Sequence, residues 1–545
     1  MKQRINADQH GFRNPKAQKN GRPYKLLLLS VIICVNPLLL FSCSTKPTDI
    51  RTLAPADSLI YLETNDLAAA LQPIVDSKPF NEVAKTKPDF SALKGVQLAV
   101  AVTGFETSEE KISEEQSVGR VQPHFVAIAD THAWNYQAVA FAEKKLGSFV
   151  ENIYNSQPTL EKTDKHGGKY FTWTAADGDK SYALVIDSVI YFANDESSIE
   201  KCLAVRRGES LSIAKTERVL PADAQTLASG YVSTDGIAQI ANIVGLQLAS
   251  EASDEPEVQS AIADIVPQLL RKSITDISWT ASKTEQGIED RYFFSMPSVM
   301  ANLFNEKMTP SEGSASELLD VLPQSATKVT IYEFRDVLVV WQSLLSMARK
   351  QLSPSAEPII SPFAEVLLEP YGIDDPERFI ASVGPAIIIA NDADDGQKPI
   401  IVAPIVHFED LKASIAKDTV VLKNDAQANF DNDILAVSYI NGRVHLGDAN
   451  TVAGAIENEL RSPDERKPYL RDELSNSTAP ITTYFYEDQI AAQIKDIFEL
   501  TYQGENDRAG SKGKTETRFT KTGMERKTIS DFGLIGSIIA QMAQD

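Results

Sequence analysis

Apolar and polar positions along this chain follow one recurring order: a β-rich run ends in Asp and passes straight into a helix-spaced apolar series. The run appears as LIYLETND (Leu59 to Asp66), GYVSTD (Gly230 to Asp235), VTIYEFRD (Val329 to Asp336) and TYFYED (Thr483 to Asp488). Asp66 precedes Leu67, Leu71, Ile74 and Val75, whereas Asp336 precedes Val337, Leu338, Trp341, Leu344 and Leu345. Asp235 precedes Ile237, Ile240, Ala241 and Val244, and Asp488 precedes Ile490, Ile494, Ile497 and Phe498. Each set has the period of one helix face. An Asp just before such a face accepts from free backbone N–H groups and complements the positive helix end. Asp66, Asp235, Asp336 and Asp488 are therefore expected to be structural helix caps. The competing reading, paired acid/base carboxylates at Glu63 with Asp66 and Glu333 with Asp336, is weakened by four recurrences in one role.

Other signals keep the same order in both halves. Apolar strands VQLAVAV (Val96 to Val102) and HFVAIAD (His124 to Asp130) correspond to PAIIIA (Pro385 to Ala390) and PIIVAPIV (Pro399 to Val406). Helical patterns follow at Trp134–Val150 and Phe408–Ala416. Hairpins turning at Asp187-Ser188 and at Asn441-Gly442 come next, the second a strong turn signal. The last hairpins share Gly-x-Glu, at Gly287 to Glu289 and Gly523 to Glu525. Many hairpins and few βαβ crossovers predict an α+β fold of two tandem homologous lobes, each a largely antiparallel sheet covered by helices. The expected bounds are 53–304 for lobe 1, a linker at 305–316, and 317–545 for lobe 2. Polar stretches Glu106 to Ser117, Ala252 to Glu257 and Gln503 to Lys514 read as solvated loops.

Length and charge add constraints. The 545 residues exceed what one hydrophobic core usually holds. The formal charge of −22 is uneven: residues 1–43 carry seven Lys/Arg and one Asp, so the remainder is near −28. Such a body repels phosphate backbones, and no nucleic-acid partner is expected. After Lys25, the apolar run Leu26 to Phe41 is interrupted by Asn36 and Pro37, so it reads as an export signal over residues 1–42.

Leu40-Phe41-Ser42-Cys43 resembles the lipobox of bacterial lipoproteins, although Phe41 departs from its usual residue. The resemblance implies that Cys43 is lipidated and heads a short tether, 43–52, that holds the body at a membrane. An uncleaved anchor or an ordinary signal peptide is the alternative. Cys34 and Cys43 leave only Cys202 in the remaining chain, which excludes an intramolecular disulfide there and reads as a buried thiol. Tyr371-Gly372-Ile373-Asp374-Asp375-Pro376-Glu377, with the opening Ala56 to Tyr61, is similar to a family of exported bacterial envelope proteins catalogued as a domain of unknown function. That similarity implies an envelope location and no defined activity.

Motifs for common chemistry are missing. His132 and His407 each follow a strand, without a second ligand at metal spacing. Asn391 to Gly396 has Ala393 at a calcium-ligand position and reads as a hairpin tip. The chain has no P-loop, G-x-S-x-G, H-E-x-x-H or G-x-G-x-x-G. No cofactor or metal is expected. The expected function is a non-enzymatic, lipid-anchored binding or scaffolding module whose partner is an envelope protein or an apolar ligand. The alternatives are an envelope hydrolase with carboxylates in non-equivalent loops, or a carrier of an apolar ligand.

Overall fold

The computed structural model describes residues 49–544 except 112–116, 217–224, 253–255, 312–317, 319–321, 323–325, 353–367, 393–398, 424–429, 431–433, 462–476, 488, 499 and 502–509. The first half runs β1 (Ile60–Thr64), α1 (Leu67–Asp76), α2 (Lys78–Val83), β2 (Gln97–Lys111), β3 (Ser117–Asp130), α3 (Asn135–Phe141) and α4 (Gly147–Tyr154). It continues through β4 (Thr159–Lys165), β5 (Gly168–Thr174), β6 (Lys180–Ile186), β7 (Val189–Ala193), α5 (Glu196–Arg206) and β8 (Thr226–Val232). The helices α6 (Thr234–Ala252) and α7 (Pro256–Ser273), the hairpin β9 (Asp276–Thr284) and β10 (Gly287–Ser295), and α8 (Ser298–Lys307) complete it.

The second half contains β11 (Ala326–Glu333), α9 (Val337–Gln351), α10 (Pro376–Ser382), β12 (Ala386–Asp392), β13 (Pro399–Pro404), α11 (Phe408–Ser414) and β14 (Val420–Val421). It closes with β15 (Leu435–Ile440), β16 (Arg443–Asp448), α12 (Ala449–Leu460), β17 (Ile481–Glu487), α13 (Ile490–Ile497), β18 (Ser511–Thr520), β19 (Gly523–Ser530) and α14 (Gly533–Gln544).

The α+β class stands, but the strands of both halves join in one sheet rather than the expected two. In the first half the pairing order is β4-β5-β6-β7-β3-β2-β1-β8-β9-β10. The ladder then crosses to β19 and runs β19-β18-β17-β11-β12-β13-β16-β15-β14. All of these pairs are antiparallel except β14 with β15. The order reads almost the same from either end toward the β10–β19 seam. At the seam Arg291 lies opposite Lys527, and the shared Gly-x-Glu turns put these two residues at equivalent positions of the two hairpins. The seam is thus a hairpin meeting its counterpart edge to edge, which leaves neither edge open to other chains.

Helices cross the seam in both directions. From the second half, Ile490, Ala491 and Ile494 of α13 and Ile539 and Ala540 of α14, with Phe532 just before α14, enter one core with Leu67, Leu71, Ile74, Phe80, Trp279 and Ile288 of the first half. Phe498 places its ring 6.5 Å from Phe80 and 5.7 Å from Phe90. Reciprocally, Met300 and Phe304 of α8 pack on Phe334 and Val340, and Phe304 meets Phe519 edge-on at 5.5 Å. Ile265 and Leu269 of α7 pack on Leu345, Ala348 and Leu352. The outer regions have their own cores. Ile199, Cys202 and Leu203 of α5 cover one sheet face over Tyr61 and Tyr191, while α3 and α4 cover the other over Phe171 and Trp173.

Several expected loops and boundaries move. Residues 49–52 are no free tether: Ile50 is buried, and the Asp49 carboxylate caps the short turn Ile50–Thr52. The expected linker begins as the last turn of α8, and Ser311 N donates to Glu333 O at 2.9 Å while Arg335 N donates to Thr309 O at 3.0 Å. Glu106 to Ser117 is mostly ladder, with β2 and β3 paired out to Lys111 opposite Ser117. Cross-strand pairing outweighs weak strand propensity there.

The four Asp positions divide. Asp66 Oδ1 accepts from Ala69 N at 3.0 Å, and Asp336 Oδ1 accepts from Val339 N at 2.9 Å. Asp235 does not cap: α6 starts at Thr234, and Ser233 Oγ accepts from Gly236 N at 3.1 Å. Ser233 N is bonded to Leu59 O, which turns the chain out of the sheet early and places Asp235 inside the first turn. Asp488 lies outside the described residues, and Gln489 before α13 makes no side-chain cap. Unflagged caps also occur, at Asp195, Asp375 and Asp448. Asp66→Ala or Asp336→Ala is expected to cost about 1 kcal/mol. Asp235→Ala should stay within about 0.5 kcal/mol. Denaturant titration of the three variants checks this, and an equal loss at all three would contradict the assignment.

Candidate functional site

The seam carries a polar cavity of about 350 Å³ on the face crossed by α14. Strand alternation aims Asp290, Tyr292 and Phe294 of β10 at it, with Arg526, Thr528 and Ser530 of β19 directly alongside. Thr515 of β18 and Phe485 and Glu487 of β17 extend the floor, and Gly533, Leu534 and Ser537 of α14 form a wall. Phe485 reaches over Gly513, where a Cβ would come within 2.0 Å of its ring. A second cavity of about 300 Å³ shares Glu487 and Ser537 and is lined by Gln489, Gln493 and Gln541.

Asp290 is 1% exposed and anchors the helix wall. Its Oδ1 accepts from Trp279 Nε1 at 2.9 Å, and its Oδ2 accepts from Leu534 N, in the first turn of α14, at 2.8 Å. Burial pushes its pKa up to about 6, against these two hydrogen bonds, which favour the charged form. Burial and the neighbouring Asp290 charge together raise the Tyr292 phenol above its ordinary value. Partial desolvation likewise raises Glu487 at the open end of the cavity.

Several wall groups are already engaged. Thr515 Oγ1 and Thr528 Oγ1 share a bond at 2.9 Å, and Ser530 Oγ accepts from Gly533 N at 3.0 Å. Among the described residues, Arg526, Glu487 and the three glutamines have no ion-pair or side-chain hydrogen-bond partner. The cavity therefore offers a free guanidinium, a free carboxylate and unengaged carboxamides, between aromatic walls. That set can hold a ligand of mixed charge; it lacks a nucleophile activated by an adjacent base.

The residues singled out from sequence lie elsewhere. Glu63 does not face Asp66: it is buried on the opposite sheet face, accepting from Tyr61 Oη at 2.8 Å and Ser229 Oγ at 3.2 Å. His132 has positive φ and sits 3.4 Å from Asp130, whereas His407 precedes α11 without a side-chain cap. Cys202 is fully buried, and burial raises its thiol well above the ordinary range. The hairpin tip at Asn391 to Gly396 falls largely outside the described residues, as does Cys43. No cluster of three His, Cys, Asp or Glu suited to a metal occurs among the described residues.

One buried cluster carried no sequence motif. Fully buried His445 on β16 places Nε2 3.0 Å from Oε2 of Glu459 of α12, while Glu459 Oε1 accepts from Arg443 and from Asn441 Nδ2, each at 3.0 Å. In the first half, Arg206 of α5 and Asp187 in the matching turn form the same tie, at 3.4 Å, with the charge polarity reversed. This tie locks a hairpin turn to the helix that follows it.

Asp290 and Arg526 are equivalent positions of the two final hairpins, so the cavity sits where the halves differ in charge. Comparison with protein-family models, curated proteins and solved structures yields no match to this chain.

Proposed function

We propose that the chain is an exported, lipid-anchored binding module of the bacterial cell envelope. In this reading two diverged copies of one α+β unit hold a small polar ligand in the seam cavity. The observation that carries it is a cavity of about 350 Å³ at the junction of the halves, bearing the unpaired charges of Arg526 and Glu487. That volume falls within the range of ordinary small-molecule sites. The ordered strand series repeated in each half supports the duplication, and the basic leader with Leu40 to Cys43 supports export and anchoring.

A polar ligand is favoured over the apolar cargo considered above. The apolar pocket between Leu67, Leu98, Trp279 and Ile535 has a volume of only about 60 Å³, too small for an acyl chain. A hydrolase is disfavoured because both oxygens of Asp290 are engaged. Its raised pKa serves a buried helix anchor.

One experiment tests anchoring and binding together. Cys43→Ser is expected to shift the protein from the membrane to the soluble exported fraction. Native mass spectrometry of that fraction should show a small-molecule adduct, reduced at least tenfold in occupancy by adding Arg526→Ala and Glu487→Gln. Unchanged membrane association would reject lipid anchoring, and an adduct indifferent to the two cavity substitutions, or none at all, would reject the site.

A further inference from the structure

We infer that the seam cavity takes a short zwitterionic peptide in extended form, with its carboxylate on Arg526 and its ammonium on Glu487. This rests on the cavity being the ligand site and adds the chemistry of the ligand.

Strand register sets the distance between the two charges. Arg526 lies opposite Thr517, and Thr517 opposite Ile481. Glu487 is six residues further along the same strand as Ile481, on the same face. Six residues of strand measure roughly 20 Å. Less the inward reach of the two side chains, this leaves room for about three to five extended residues at ~3.3–3.6 Å each.

The walls suit a peptide in other respects. Tyr292 and Phe294 stand side by side with ring centroids 6.5 Å apart and planes 30° apart, giving an apolar floor for side chains. Gln489, Gln493 and Gln541 surround the adjoining chamber beyond Glu487. Each carboxamide both donates and accepts, which matches the alternating N–H and C=O of a peptide backbone. A uniformly anionic ligand is opposed by Glu487 and by the net charge of −22, and a uniformly cationic one by Arg526. A chain with one charge of each sign at its two ends satisfies both groups.

The test uses the full chain and tetra-alanine as probe, beside N-acetylated and C-amidated forms, followed by calorimetric titration. Free tetra-alanine should saturate one site, and blocking either end should weaken binding about tenfold, the loss of one charge-assisted contact. Arg526→Ala should abolish discrimination against the amide, and Glu487→Gln discrimination against the acetylated form. Equal binding of all three probes would overturn the inference, as would no saturation below about 10 mM. If tetra-alanine fails while a co-purified ligand depends on Arg526 and Glu487, the peptide assignment falls and the cavity reading stands. If neither binds, both fall.

Discussion

Phe532→Ala is expected to destabilise the first half of the chain together with the second, by about 3–5 kcal/mol. Phe532 belongs to the second half by sequence but is 1% exposed in a core built around Leu67, Leu71, Phe80 and Trp279. Truncating it leaves a cavity that the rigid seam cannot close, since β10 and β19 hold eight residue pairs in register beneath it. Because α13 and α14 complete the first half's seam-side core while α7 and α8 pack on α9, neither half keeps its seam-side packing when the other unfolds. Denaturant unfolding followed at Trp279 and Trp341 should therefore give one transition that moves to lower denaturant in the variant. Two separable transitions, with the Trp279 signal unmoved, would show that the halves fold independently.

Asp290→Asn should flatten the stability profile between about pH 4 and pH 6.5. The folded-state pKa of Asp290 is raised from an ordinary 3.8 to about 6, so folded protein binds a proton more tightly than unfolded chain. The stabilisation associated with that proton is fully present below about pH 4 and is lost as pH rises through about 6. The rise corresponds to about 3 kcal/mol for a group this buried. Asparagine keeps the shape but can accept from only one of Trp279 Nε1 and Leu534 N, so the variant also carries a pH-independent loss, and the change in slope with pH is what reports the charge. Chemical denaturation of both proteins across pH 4 to 7 reads the difference directly, and parallel curves would place the Asp290 titration outside this window.

Legibility followed the range of the interactions. The caps at Asp66 and Asp336 were readable because an N-cap depends on residues within one helical turn. Asp235 was misread because a long-range contact, Ser233 N to Leu59 O, decides where α6 begins. The turn at Asn441-Gly442 was likewise local, with φ of +50° and +76° in the two residues. The charged residues from Glu106 onward gave no sign of a strand, since what holds Lys111 is its partner Ser117 across a ladder. The seam site was not legible in any local pattern. Neither Asp290 nor Arg526 stands in a motif, and Glu487 is almost two hundred residues from Asp290.

The α+β class and most of the strand and helix positions were determined by sequence alone, through apolar periods of two and 3.6 residues that any local segment expresses. How the two series combine was decided only in the tertiary structure. Hairpins with equivalent patterns can leave their edges apart or pair with each other, and nothing local distinguishes the two. Pairing β10 with β19 buries both edges and draws α13 and α14 over the first half. It also brings Arg526, Glu487 and Asp290 around one cavity. That assembly depends on edge hydrogen bonds and helix packing between distant parts of the chain, which local patterning does not encode.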